Sequence, residues 1–120
     1  MRVTFRKVRF SLHNEPALTG TPQQIEWAER IRLTVSKEFD RVAKVFQAQV
    51  LIQTGEKQAE TRCIIGILEQ KRTETMSIAV AGYFIREWQE ISDQVRQLIA
   101  KDPRYQAIRD RRTLRRRATV

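Results

Sequence analysis

From Ile25 to Phe46 the apolar residues fall three or four apart: Ile25, Ala28, Ile31, Val35, Phe39, Val42, Val45 and Phe46. That spacing is the period of one helix face. Thr21-Pro22 supplies the start. Threonine is a good N-cap, and proline at the first helical position gives up an N–H that has no partner there anyway. Glu26 and Glu29 follow close to the positive end of the helix, where carboxylates are favoured. Run to about residue 48, the helix is a rod roughly 40 Å long at 1.5 Å per residue.

The other elements are read in the same way. Val50-Leu51-Ile52 gives way to Gln53-Thr54-Gly55, a stop with glycine just past the end. A second helix is expected over 56–72, with Ala59, Cys63, Ile64, Ile67 and Leu68 on one face. The stretch 62–69 is also rich in β-branched residues, which suits a buried strand as well. Cys63, the single cysteine, has no partner for an internal disulfide and reads as a small buried hydrophobe. Val80, Phe84, Trp88, Ile91, Val95 and Leu98 predict a third helix up to Lys101, softened near its start by Gly82. Asp102-Pro103 then repeats the N-cap and N1 pattern ahead of Tyr105, Ile108 and Leu114. At the other end Val3, Phe5, Val8, Phe10 and Leu12 alternate, with a slip at Lys7-Val8, as a strand with a bulge would. A lone strand leaves its backbone unsatisfied, so its partner is another segment or another molecule. His13 to Gly20 is a turn region.

The fold class expected is mostly α: an antiparallel three-helix bundle with an N-terminal β-strand and a short basic C-terminal helix. Residues 1–101 form the helical domain with its strand, and 102–120 a basic C-terminal arm. A chain of 120 residues can bury one such core without disulfide or metal. No apolar run is long enough for a signal peptide or a membrane span. A cytoplasmic protein is expected.

Charge is distributed unevenly. Residues 1–13 carry Arg2, Arg6, Lys7 and Arg9 and no acid, a charge of +4. Residues 101–120 carry eight basic side chains against Asp102 and Asp110, a charge of +6. The middle holds eleven basic and twelve acidic groups, which leaves the chain at +9. Charge that only keeps a protein soluble is usually interspersed with its opposite; cationic ends on a balanced body point to a polyanionic partner.

The segment Leu18-Thr19-Gly20-Thr21-Pro22-Gln23-Gln24-Ile25-Glu26-Trp27-Ala28-Glu29-Arg30-Ile31-Arg32 resembles a motif of small uncharacterised proteins of bacteria, phages and integrative elements. That motif is Leu-x-Gly-Ser/Thr-x-x-Gln-x-x-Trp-Ala-Glu-x-Ile-Arg. Ala81-Gly82-Tyr83-Phe84-Ile85 is similar to a second, less specific stretch of the same proteins, Ala-x-aromatic-aromatic-Ile. The two cover about a sixth of the chain. The resemblance implies a bacterial or mobile-element origin and assigns no catalytic residues. The residues also suit plain packing roles: Gly20 for the turn, Thr21 for the cap, Trp27 and Ile31 as helix anchors.

Little in the sequence points to catalysis. His13 is the single histidine and lies in a turn. No Cys/His set reaches a zinc site's ligand count, and the four glycines are too scattered for a phosphate cradle. The pairs Glu26/Glu29 and Glu87/Glu90 read as a solvated, salt-bridged surface. Neither an enzyme nor a cofactor or metal is indicated.

Arginine carries the functional signal. Arg109, Arg111, Arg112, Arg115, Arg116 and Arg117 fall within nine positions with no lysine among them. Guanidinium groups fork onto phosphate bidentately, which ammonium groups cannot do. On a helix Arg109, Arg112 and Arg116 share a face, with Arg111 and Arg115 beside it. The function expected is binding of DNA or RNA backbone as a nucleic-acid-binding or ribonucleoprotein accessory protein, without strong base readout. Arg2, Arg6 and Arg9 would add a second basic surface. The alternative is a phage or mobile-element interaction module. It would bind a host protein complex, or a second copy of itself, through the unpaired edge of residues 2–12.

Overall fold

The computed structural model describes residues 15–119. The N-terminal strand expected over 2–12, His13, and the basic residues Arg2, Arg6 and Arg9 lie outside the described residues. Five helices make up most of what is described: α1 (Pro22–Ile52), α2 (Gly55–Met76), α3 (Ala81–Glu87), α4 (Ile91–Ala100) and α5 (Pro103–Thr119). They form an elongated body of 61 × 27 × 17 Å.

α1 starts where its cap predicts. Thr21 Oγ1 accepts from the Gln24 N–H at 3.2 Å, and Gln24 Oε1 accepts from the Thr21 N–H at 3.0 Å, both halves of a capping box. The helix continues to Ile52, and the chain turns through Gly55, whose φ of +61° suits glycine. α2 is helical throughout, 62–69 included, and ends at Met76.

Two residues expected to pack inward stand off the core. Trp27 is 53% exposed and Cys63 is exposed. The cause is the same for both. The buried stripes run through Ala28, Val35, Phe39 and Val42 on α1 and through Ile64, Leu68 and Met76 on α2. Trp27 and Cys63 each precede a stripe residue by one, which places them about 100° round the helix.

The single helix expected over 80–101 is broken in two. Trp88 (φ −113°, ψ 66°) and Glu90 (φ −127°, ψ 67°) leave helical geometry between α3 and α4. The break lets Trp88 bury beside Phe39, ring centroids 6.2 Å apart, while its indole N–H donates to Tyr83 Oη at 3.1 Å. Gln94 spans the gap, donating to the Glu87 carbonyl and accepting from the Glu90 N–H. The expected three helices and short C-terminal helix are therefore five helices among the described residues, with α3 and α4 each packed on α1.

Long-range polar ties fix the layers. Arg72 on α2 is buried, lies over the Phe39 ring at 5.9 Å, and donates to the Ser36 carbonyl at 3.0 Å and to Asp40. The stretch before α1 is clasped to the stretch before α3. The Thr19 N–H donates to the Ala79 carbonyl at 2.7 Å, and the Ala81 N–H to the Thr19 carbonyl at 2.9 Å. Gly20 makes that approach possible: at φ +149°, a Cβ there would lie 3.2 Å from Ala81 Cβ. Residues 18–32 and 81–85 thus meet in the fold. Among the described residues no helix is long and apolar enough to cross a membrane.

Candidate functional site

The arginine-rich segment is a 17-residue helix laid against α2 and α4. Its start follows the expected cap: Asp102 Oδ1 accepts from the Arg104 N–H at 2.8 Å. Asp102 is itself buried and also meets Lys71 of α2 at 3.2 Å. Arg104 and Lys71 together hold the Asp102 carboxyl well below the usual carboxylate range, Arg104 chiefly. Ile108 is buried in the core and Tyr105 packs against it.

One carboxylate organises the arginines. Glu60 of α2 is buried and takes three of them. Arg115 donates to both its oxygens, at 2.8 and 2.9 Å, Arg112 Nε donates at 2.9 Å, and Arg111 Nε lies at 3.7 Å. Arg112 also donates to Thr61 Oγ1 at 3.2 Å, and Arg115 pairs with Glu56 at 3.2 Å. Hydrogen bonds from Arg115, then Arg112, outweigh the cost of burial and pull the Glu60 carboxyl down to about 2.

The six arginines expected to act together are therefore divided. Arg112 and Arg115 turn inward and are half-buried, Arg111 sits at the edge of the Glu60 cluster, and Arg109, Arg116 and Arg117 are exposed. Arg112 does not join Arg109 and Arg116 as one outward face. Glu60 was missed from the sequence, but a signal was there. It lies four residues before Ile64, on the buried stripe of α2, and a carboxylate in an apolar stripe needs a cation brought to it.

Beside this cluster a cleft of about 560 Å³ is lined by Gln53, Lys57, Arg112, Arg115 and Arg116. Four of those five side chains are cationic. With Arg111 added, five cations stand round Glu56 and Glu60, leaving a surplus of three positive charges. A guanidinium has five N–H donors in a rigid fork, so an arginine oriented by a carboxylate keeps donors for a second anion. Glu26 and Glu29 on α1, Glu87 at the end of α3 and Glu90 in the break that follows are all exposed. Among the described residues no three His, Cys, Asp or Glu side chains are grouped so as to hold a metal. No protein-family model matches this chain, and neither a curated protein nor a solved structure matches it.

Proposed function

We propose that this protein binds nucleic acid through backbone phosphates at the α2–α5 seam, without reading base sequence. The observation that supports this reading is the cleft in which Lys57, Arg112, Arg115 and Arg116 converge. Glu60 gives that convergence a physical sense. It holds the guanidinium groups of Arg112 and Arg115 in place before any ligand arrives, which reduces the side-chain entropy lost on binding. Arg109 and Arg117, exposed along the same helix, extend the phosphate track, and Arg2, Arg6 and Arg9 are further phosphate contacts proposed on the grounds of charge alone. The sparse Asn and Gln among the arginines fit backbone contact better than base readout.

The test is equilibrium binding of a mixed-sequence 20-nucleotide probe across a salt series. About four or five phosphate contacts give a log–log slope of roughly −3 to −4.5. Reversing Arg109, Arg116 and Arg117 to Glu should weaken binding at least tenfold with helix content kept. Affinity that is flat with salt, or unchanged in the triple variant, overturns the reading.

A further inference from the structure

α5 rests on α2 and α4, yet none of its Cα atoms comes within 8 Å of one in α1. The gap between α1 and α5 holds two recesses in succession. One is the cationic cleft. The other, of about 320 Å³, has an apolar lining of Val42, Val45, Phe46, Ile99, Ala100 and Tyr105, with Arg41, Gln49 and Arg96 as its polar members. Gln49 lines the apolar recess from near the end of α1, and Gln53, which caps the end of that helix, lines the cationic one. Tyr105 and Arg112 stand seven residues apart on α5, hence on the same stripe of that helix. Val45 is left 47% exposed at this place.

We infer that the α1–α5 gap holds a single strand of nucleic acid, one base in the apolar recess and the neighbouring phosphates on the cations. This rests on the nucleic-acid reading and goes further, to the form of the ligand. Along the gap the cationic cleft of Lys57, Arg112 and Arg116 is followed by the apolar recess, whose own lining carries Arg96 and a Glu38-paired Arg41. A nucleotide strand repeats that alternation of charged backbone and flat apolar ring. A duplex does not offer it, because its bases are stacked inside. Single-strand binding sites elsewhere combine the same two parts, a basic groove and aromatic side chains on which any base can stack. Phe46 and Tyr105 supply the rings here. A recess of this size lies at the lower end of small-ligand pockets, which suits one base and excludes a paired one. A segment of +4 charge such as residues 1–13 meets repulsion from Arg96 and the cleft, where a polyanion meets attraction. A second copy of a +9 chain is opposed by the same charge.

The experiment compares, at one salt concentration and with the full chain, an oligothymidine probe and a hairpin duplex of equal phosphate number. Single strand should bind at least tenfold more tightly. Val45→Glu, an exposed position, should weaken single-strand binding about tenfold and leave duplex binding unchanged. A 4-thiothymidine probe should crosslink to the peptides bearing Phe46 and Tyr105 whether or not any variant folds. Equal affinities with no effect of Val45→Glu, or crosslinks confined to α5 beyond Tyr105, overturn the inference and leave the phosphate-binding reading standing. No binding of either probe at low salt overturns both. A glutamate-rich peptide that displaces the oligonucleotide at equal charge also overturns both, and makes the gap a site for an acidic protein segment.

Discussion

Glu60 accepts hydrogen bonds from Arg112 and Arg115 at once, and its carboxyl is held at about 2 against an ordinary 4.5. A group whose folded value is lowered stabilises the fold fully above its unfolded value and loses that contribution as pH falls toward the folded one. The urea midpoint is therefore expected to fall between about pH 4.5 and 2, with Asp102 adding to the fall through Arg104. In Glu60→Gln part of that fall disappears, because the difference between the two proteins closes as acid protonates the wild-type carboxyl. At neutral pH the substitution should cost about 1–3 kcal/mol, the range for leaving buried hydrogen-bonding partners poorly satisfied. It should also tighten phosphate binding: the glutamine oxygen still accepts from Arg112 or Arg115 and keeps part of their orientation, while the ligand meets one carboxylate fewer. A purely structural role for the cluster predicts the stability loss without the gain in affinity, so urea denaturation and filter binding on one variant separate the two.

Among the elements, the clasp before α1 and the body of α2 make opposite predictions for the same substitution. At Gly20 the backbone has φ +149°, and an added Cβ would lie 3.0 Å from Gln24 Oε1 and 3.2 Å from Ala81 Cβ. Gly20→Ala is expected to destabilise by roughly 1–3 kcal/mol, the scale of a non-glycine residue forced into such a conformation. Gly66 lies within α2 with nothing within 4 Å of its would-be Cβ. Gly66→Ala should stabilise by about 0.5–1 kcal/mol through helix propensity. Thermal unfolding of the two variants checks both signs. The helix starts at Thr21-Pro22 and Asp102-Pro103 were legible in the sequence because capping is local chemistry, settled within three residues. The break at Trp88 was not. A buried indole and a Gln94 that bridges the gap reward leaving the helix, and both depend on what α1 places opposite. Periodicity likewise gives a face but not its centre, and so Trp27 and Cys63 were assigned inward when the core passes one residue along. For the site, the arginines were legible as composition. Their division into an inward and an outward set was not, because Glu60 approaches them from a helix some fifty residues away.

For the molecule as a whole, α5 is both the cationic surface and a wall of the core. Deleting residues 103–120 removes buried Ile108, worth about 1.5–3 kcal/mol, and strips Glu60 and Asp102 of their arginine partners. The truncated chain should be less stable by roughly 3–5 kcal/mol, read from urea unfolding followed by far-ultraviolet circular dichroism. A truncation with unchanged stability would mean that α5 packs only loosely. Charge reversal on the outward face is accordingly the cleaner probe of binding. The pair of indoles carries one more consequence. Trp88 lies in the core at 4% exposure and Trp27 on the surface at 53%. Native emission should be a sum of a blue component and a red one. Iodide should quench only the red, and unfolding should shift only the blue. A Trp88→Phe chain would then report on the start of α1 while staying optically silent about the core.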